Sequence, residues 1–95
     1  MTFEEEKRRI ESIQQKLIGF SFVTAVNGVM FIKSVPHPTL TVSFNAGDYS
    51  RELCCDMHSI ASAIRHAYSE MCACCSKSEE MRRFERIISE IENSD

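Results

Sequence analysis

The apolar residues of this 95-residue chain change their period twice, and that pattern limits the folds open to it. From Phe3 to Leu17 they are spaced by seven, three and four positions, whole turns of a helix, so Phe3, Ile10, Ile13 and Leu17 form one helical stripe. From residue 20 the period falls to two, as in a strand with alternating faces. From Met57 to Ile91 the helical spacing returns. Helix, then strands, then helices is the order of an α+β domain.

Local signals set the expected boundaries. Thr2 and Glu5 have the spacing of a capping box, Glu4/Arg8 and Glu5/Arg9 are favourable pairs one turn apart, and Gly19 is a natural stop; the prediction is a helix over residues 2–18. Residues 20–26 and 29–35 are β-branched and aromatic and flank Asn27-Gly28, a pair that favours a two-residue turn. This predicts a hairpin with Val26 opposite Val29, Thr24 opposite Phe31 and Phe22 opposite Lys33. Residues 39–45 alternate strictly, with Leu40, Val42 and Phe44 on the apolar side. Asn45-Ala46-Gly47-Asp48 has turn chemistry, so a second hairpin is expected to pair Phe44 with Tyr49 and Leu40 with Leu53. Asp56 can cap a helix over 57–75 whose inner stripe is Met57, Ile60, Ala61, Ile64, Ala67/Tyr68, Met71 and Cys75. Ser76-Lys77-Ser78 breaks the chain before a last helix over 79–92, with Met81, Phe84, Ile87, Ile88 and Ile91 inward. The expected fold is one domain over residues 1–95: an N-terminal helix, a four-stranded antiparallel sheet of two hairpins, and two C-terminal helices packed on it.

Composition narrows the function. With 43% apolar residues the chain can build one core and is too short for two. Eleven basic against fourteen acidic residues give a net charge of −3, which argues against a nucleic-acid binder built on a basic face and is too mild for a disordered acidic tail. Residues 4–9 are Glu-Glu-Glu-Lys-Arg-Arg, unlike a signal peptide. The longest uncharged stretch, Leu17–Ile32, falls short of the ~20 apolar residues of a membrane span. A cytoplasmic protein, with no membrane partner, is expected. The strand–helix order is similar to that of double-stranded-RNA-binding domains, which set basic residues at the start of the helix after the strands. Here that position reads Asp56-Met57-His58-Ser59, so the analogy is set aside.

Five cysteines fall in two groups, Cys54/Cys55 beside His58 and Cys72/Cys74/Cys75. An odd number of thiols suits free thiols or metal ligands better than a disulfide framework. His58 and Cys72 are separated by roughly 21 Å along a helix, whereas zinc ligands lie about 2.0–2.3 Å from the ion. One unbroken helix therefore keeps Cys54, Cys55 and His58 from sharing a zinc with Cys72 and Cys75; a second chain lying antiparallel could complete such a site. Cys55 and His58 could form a thiolate–imidazolium pair. No oxyanion loop, phosphate loop or carboxylate pair accompanies them, so neither catalysis nor a cofactor is expected.

The expected hairpin is apolar on both sides. Phe20, Phe22, Val26, Val29, Phe31 and Val35 share one side with the core, and Val23, Ala25, Met30 and Ile32 form a block on the other. An apolar block left in water marks an interface. Val23, Ala25, Met30 and Ile32 are the candidate partner-binding residues, with His58 and Arg65 added from the outward face of the long helix, where Ser62, Ser69 and Cys72 also lie. The expected function is a small non-enzymatic protein-interaction module, homodimeric or bound to another protein. A phage or mobile-element inhibitor of a host defence system fits that size and lack of motifs. A thiol- or zinc-dependent module built on Cys54/Cys55/His58 and Cys72/Cys75 is the alternative.

Overall fold

A computed structural model describes residues 2–32, 35–75 and 78–93; the side chains of residues 29–37 lie outside that description. The elements in order are α1 (Phe3–Leu17), β1 (Val23–Ile32), β2 (Val35–Ala46), β3 (Tyr49–Asp56), α2 (Ile60–Cys74) and α3 (Glu79–Asn93). The strands form one antiparallel sheet in the order β1-β2-β3. The architecture is α+β with three strands, where four were expected.

The helices follow their sequence signals. The Thr2 hydroxyl accepts the Glu5 N–H at 3.3 Å and starts α1; Gly19 adopts φ +103° just past its end. The Asp56 carboxylate accepts the N–H groups of His58 at 2.9 Å and Ser59 at 3.0 Å, holding a turn that delays the start of α2 to Ile60. At the head of α3 the Ser78 hydroxyl accepts the Met81 N–H at 3.2 Å; Ser76 and Lys77 lie outside the described residues.

The first hairpin is where the sequence misleads. Asn27 and Gly28 sit inside β1, opposite Thr41 and Leu40. β1 runs on to Ile32, which pairs with Val35; residues 33 and 34 lie outside the described residues. Residues 23–26 and 29–32 of the two segments expected to pair with each other therefore belong to one strand, and Val26 faces Val42 rather than Val29. Phe20 and Phe22 precede the strand, in the connection from α1.

Gly28 serves packing. A Cβ at this position would lie 3.2 Å from Gln14 Oε1 and 3.5 Å from Ile10 Cγ2, so the missing side chain lets α1 approach β1 closely. Gln14 uses this approach to donate through Nε2 to the Val26 carbonyl at 3.0 Å.

The second hairpin is present with its register moved by two residues. Ala46 pairs with Tyr49 around Gly47-Asp48, so Phe44 faces Arg51 and Leu40 faces Cys55. Gly47 at φ +62° supplies the left-handed residue of the tight reversal. A shift of two conserves the face of every side chain. Leu40, Val42, Phe44, Tyr49, Leu53 and Cys55 accordingly all enter the core.

The register of β1 on β2 slips twice, between Val23 and Ala25 and between Gly28 and Met30. The first slip adds Thr24 to β1; its hydroxyl donates to the Ser43 carbonyl at 3.3 Å. The second adds a residue to β2 beside Pro38, where the missing proline N–H is tolerated.

α1 packs on β1 and β2, α2 packs on β3, and α3 touches both other helices. Phe84 of α3 is fully buried where they meet. Its ring meets Phe20 edge-on at 4.9 Å, Phe22 at 5.1 Å and Phe44 at 6.0 Å between centroids, with Tyr68 of α2 also at 6.0 Å.

The packing role of Gly28 is separable from a turn role. Gly28→Val should lower stability by about 1–3 kcal/mol through overpacking against Ile10 and Gln14. Asn27→Thr, exposed and within a strand, should stay within about 0.5 kcal/mol of the parent. Chemical denaturation measures both; a large loss for Asn27→Thr would restore the turn.

Candidate functional site

Because the helices share one face of the sheet, the other face is open. Its described residues form cross-strand rows: Asn27, Thr41 and Cys54; Ala25, Ser43 and Glu52; Asn45 and Ser50. Asn27, Asn45, Ser50, Glu52 and Cys54 are exposed, and Ala25, Thr41 and Ser43 are half-buried. The Ser43 hydroxyl donates to Glu52 at 3.3 Å. Among the described residues this surface is polar, and the cross-strand pairing expected to join Val23, Ala25, Met30 and Ile32 is not the one observed. The extra residue at Thr24 separates Val23, packed against the core, from Ala25 on the open face. Ala25 opposes Ser43, not Met30; Met30 opposes His37, and Ile32 opposes Val35, not Val23. The side chains of Met30 and Ile32 lie outside the described residues.

A second feature is the reach of the β1–β2 ribbon. β3 ends at Asp56, opposite Thr39. Residues 35–38 of β2 therefore extend past the third strand, with β1 beside them as far as Ile32. At the root of this ribbon Thr39 is buried, and its hydroxyl has no partner among the described residues. The ribbon segments read Val29-Met30-Phe31-Ile32 and Val35-Pro36-His37-Pro38.

The helix candidates have other duties. His58 is exposed. Arg65 bonds Glu92 at 2.6 Å, clamping α2 to α3 and holding the Glu92 carboxyl below its ordinary range. The Ser62 and Ser69 hydroxyls turn back onto the carbonyls of Ser59 and Arg65.

The thiols are dispersed. Cys54 faces the open side, while Cys55, its neighbour on the strand, is buried, and that burial pushes its thiol pKa up. This opposes nucleophilic use of Cys55, since the thiolate is the reactive form. α2 is continuous between the two groups. Cys75 Sγ donates to the Ala46 carbonyl at 3.2 Å, tying the end of α2 to the β2–β3 turn. Among the described residues no three His, Cys, Asp or Glu side chains gather as a metal site.

Sequence reasoning missed a polar hub on the helix side. Glu70 of α2 accepts from the Tyr49 hydroxyl at 3.0 Å and from the Arg51 guanidinium, with His66 Nε2 at 3.8 Å. A period-2 reading places Arg51 on the same face as Tyr49 and Leu53, yet no spacing within the chain joins it to Glu70. A second missed contact is Glu80, which accepts the Ser21 N–H at 3.0 Å as well as its hydroxyl and so pins the α1–β1 connection to α3.

Comparison with family models, curated proteins and solved structures finds no match. Among the described residues no helix is long and apolar enough to cross a membrane.

The Glu70 hub makes stability depend on pH in two directions. The bond from Tyr49 and the charge of Arg51 hold the Glu70 carboxyl below its ordinary value of 4.5. That contribution is present above about pH 4.5 and is lost as pH falls through the lower folded value. Burial, and then Glu70, push the Tyr49 hydroxyl from 10.0 up to about 12. Its contribution is complete below pH 10 and is lost as pH rises toward 12. Glu70→Gln should therefore flatten the acid limb: between about pH 5 and 3 its melting temperature should fall less than the parent's. Parallel curves would show that the hub contributes nothing.

Proposed function

We propose that this chain is a non-enzymatic protein-interaction module whose working part is the β1–β2 ribbon beyond β3. The observation that carries the reading is the mismatch in strand length. β2 runs from Val35 to Ala46, whereas β3 covers it only as far as Thr39. A two-stranded ribbon is marginal in water without a third strand or a packed face. Its Pro38 is already fully buried, and the segments on either side, Val29-Met30-Phe31-Ile32 and Val35-Pro36, are apolar, the type of sequence that gains by being covered. Within this reading Met30 and Ile32 remain partner contacts. Val23 and Arg65 do not, because core packing and Glu92 engage them. Blocking a macromolecule by occupancy, as an inhibitor of a host system would, needs a surface and no further chemistry.

Ile32→Asp tests the reading. Because Ile32 lies past β3, the variant should keep the parent's circular dichroism and melt within about 2 °C of it, an energetic change of a few tenths of a kcal/mol. A buried unpaired charge in a contact costs several kcal/mol, so proteins retained from the native host by the immobilised parent should be lost at least tenfold. Unfolding of the variant would place Ile32 in the core and sink the reading.

A further inference from the structure

We propose that Cys72 and Cys75 form a reversible redox site, a dithiol that closes to a disulfide by exchange with small disulfides and, on closing, releases the end of α2 from the β2–β3 turn.

The sequence Cys72-Ala73-Cys74-Cys75 places three thiols in one turn of chain. Residues three apart on a helix differ by about 60° of arc, so Cys72 and Cys75 share a side and Cys74 falls on another. The burial agrees: Cys72 and Cys75 are half-buried against the core, and Cys74 is exposed. α2 is helical to Cys74, and the Cys75 N–H donates to the Met71 carbonyl at 2.9 Å, so the Cα of Cys75 still stands on the helical path. Three residues along that path put the two Cα atoms about 5 Å apart. Disulfides span Cα separations of roughly 4.4–6.8 Å. Cys74 and Cys75, like Cys54 and Cys55 on β3, are chain neighbours about 3.8 Å apart, below that range.

Each of the two thiols has a defined surrounding. The Tyr68 hydroxyl, which donates to Glu85 at 3.1 Å, is also in hydrogen-bond contact with Cys72. Cys75 Sγ donates to the Ala46 carbonyl at 3.2 Å, beside Gly47. Cys75 has left the helical dihedrals, at φ −133° and ψ 151°, so its side chain can turn toward Cys72 without unwinding α2. A disulfide sulfur carries no hydrogen, so closure ends the bond to Ala46.

Closure takes two exchanges. The thiolate of one cysteine attacks a sulfur of a small disulfide such as oxidised glutathione, forming a mixed disulfide and expelling one small thiolate. The thiolate of the other cysteine attacks the protein sulfur of that mixed disulfide and expels the second. The two cysteines lose two electrons and two protons, and the small disulfide gains both and leaves as two thiols. An excess of the small thiol runs both steps backwards.

Peptide mass tests the site on the full chain, reduced, equilibrated with mixtures of reduced and oxidised glutathione, quenched in acid and alkylated. Trypsin releases His66–Lys77, which holds Cys72, Cys74 and Cys75 and no other cysteine. The expected product has lost two hydrogens, carries one alkyl group, on Cys74, and returns to three alkyl groups after dithiothreitol. Cys74→Ser should close at the parent's glutathione ratio within about twofold. Cys72→Ser and Cys75→Ser should form no internal bond. In the closed chain, amide exchange at Gly47, Asp48 and Tyr49 should rise at least about threefold over the reduced chain. A bond joining Cys74 to Cys72 or Cys75, or no internal bond at any ratio, overturns the pair. A Cys72–Cys75 bond with unchanged exchange at the turn overturns the release. The parent's own peptide decides the pair even where a serine variant fails to fold.

Discussion

All three helices lie on one side of the sheet, and the side chain that lets them do so is Phe84. It is fully buried and touches rings from the α1–β1 connection, the central strand and α2. A lone α1 over β1 and β2, or α2 over β3, would leave a trough between the helices. α3 fills that trough with one large ring, and the edge-on geometry matches the positive rim of each neighbour to the negative face of another. The polar contacts around it fix the approach of α3. Glu80 holds Ser21, Arg83 lies 5.1 Å over the Phe20 ring, Tyr68 donates to Glu85 at 3.1 Å and Arg65 pairs with Glu92. These contacts bring the last element of the chain back to the first connection.

This arrangement explains which parts were legible in the sequence. A helix that buries one stripe must show it, so Ile10, Ile13 and Leu17, then Ile60, Ile64, Ala67, Tyr68 and Met71, then Met81, Phe84, Ile88 and Ile91 could be read from spacing alone. Strand face was equally legible from Leu40 to Cys55 because the error in register was an even number. Asn27-Gly28 was not. A local preference for a reversal competes with a contact that no window of sequence displays, the seat of Ile10 and Gln14 over a residue without a side chain. An Asn-Gly pair within an apolar strand carries two meanings, and only the position of α1 separates them. Between Ile32 and Val35, which pair, the sequence Lys33-Ser34 shows no signal of the Asn-Gly kind.

The candidate site was read less well, because interfaces depend on what fails to be covered. The expected block of Val23, Ala25, Met30 and Ile32 needed a turn at Gly28 and an uninterrupted alternation. Moving the turn separates the two pairs, and the extra residue at Thr24 then separates Val23 from Ala25. The open face that remains is one of threonine, serine and asparagine, a composition that tolerates water. The cysteines illustrate the same limit. Adjacent Cys54 and Cys55 look like a pair in the sequence, and strand geometry sends them to opposite faces.

The distribution of guarded and unguarded edges then has a physical logic. A three-stranded sheet has two edges and cannot abolish either one without closing into a barrel. Here the short strand is the charged one, and the prolines fall where the central strand loses its neighbour. Gln14 covers the edge of β1 only where α1 stands beside it. Reach sets that limit: a glutamine amide extends a few ångströms from its helix, whereas β1 continues for four residues past Gly28. The distal length of β1 pairs with β2 on one side and, among the described residues, has no strand on the other, and its sequence holds no charge and no proline.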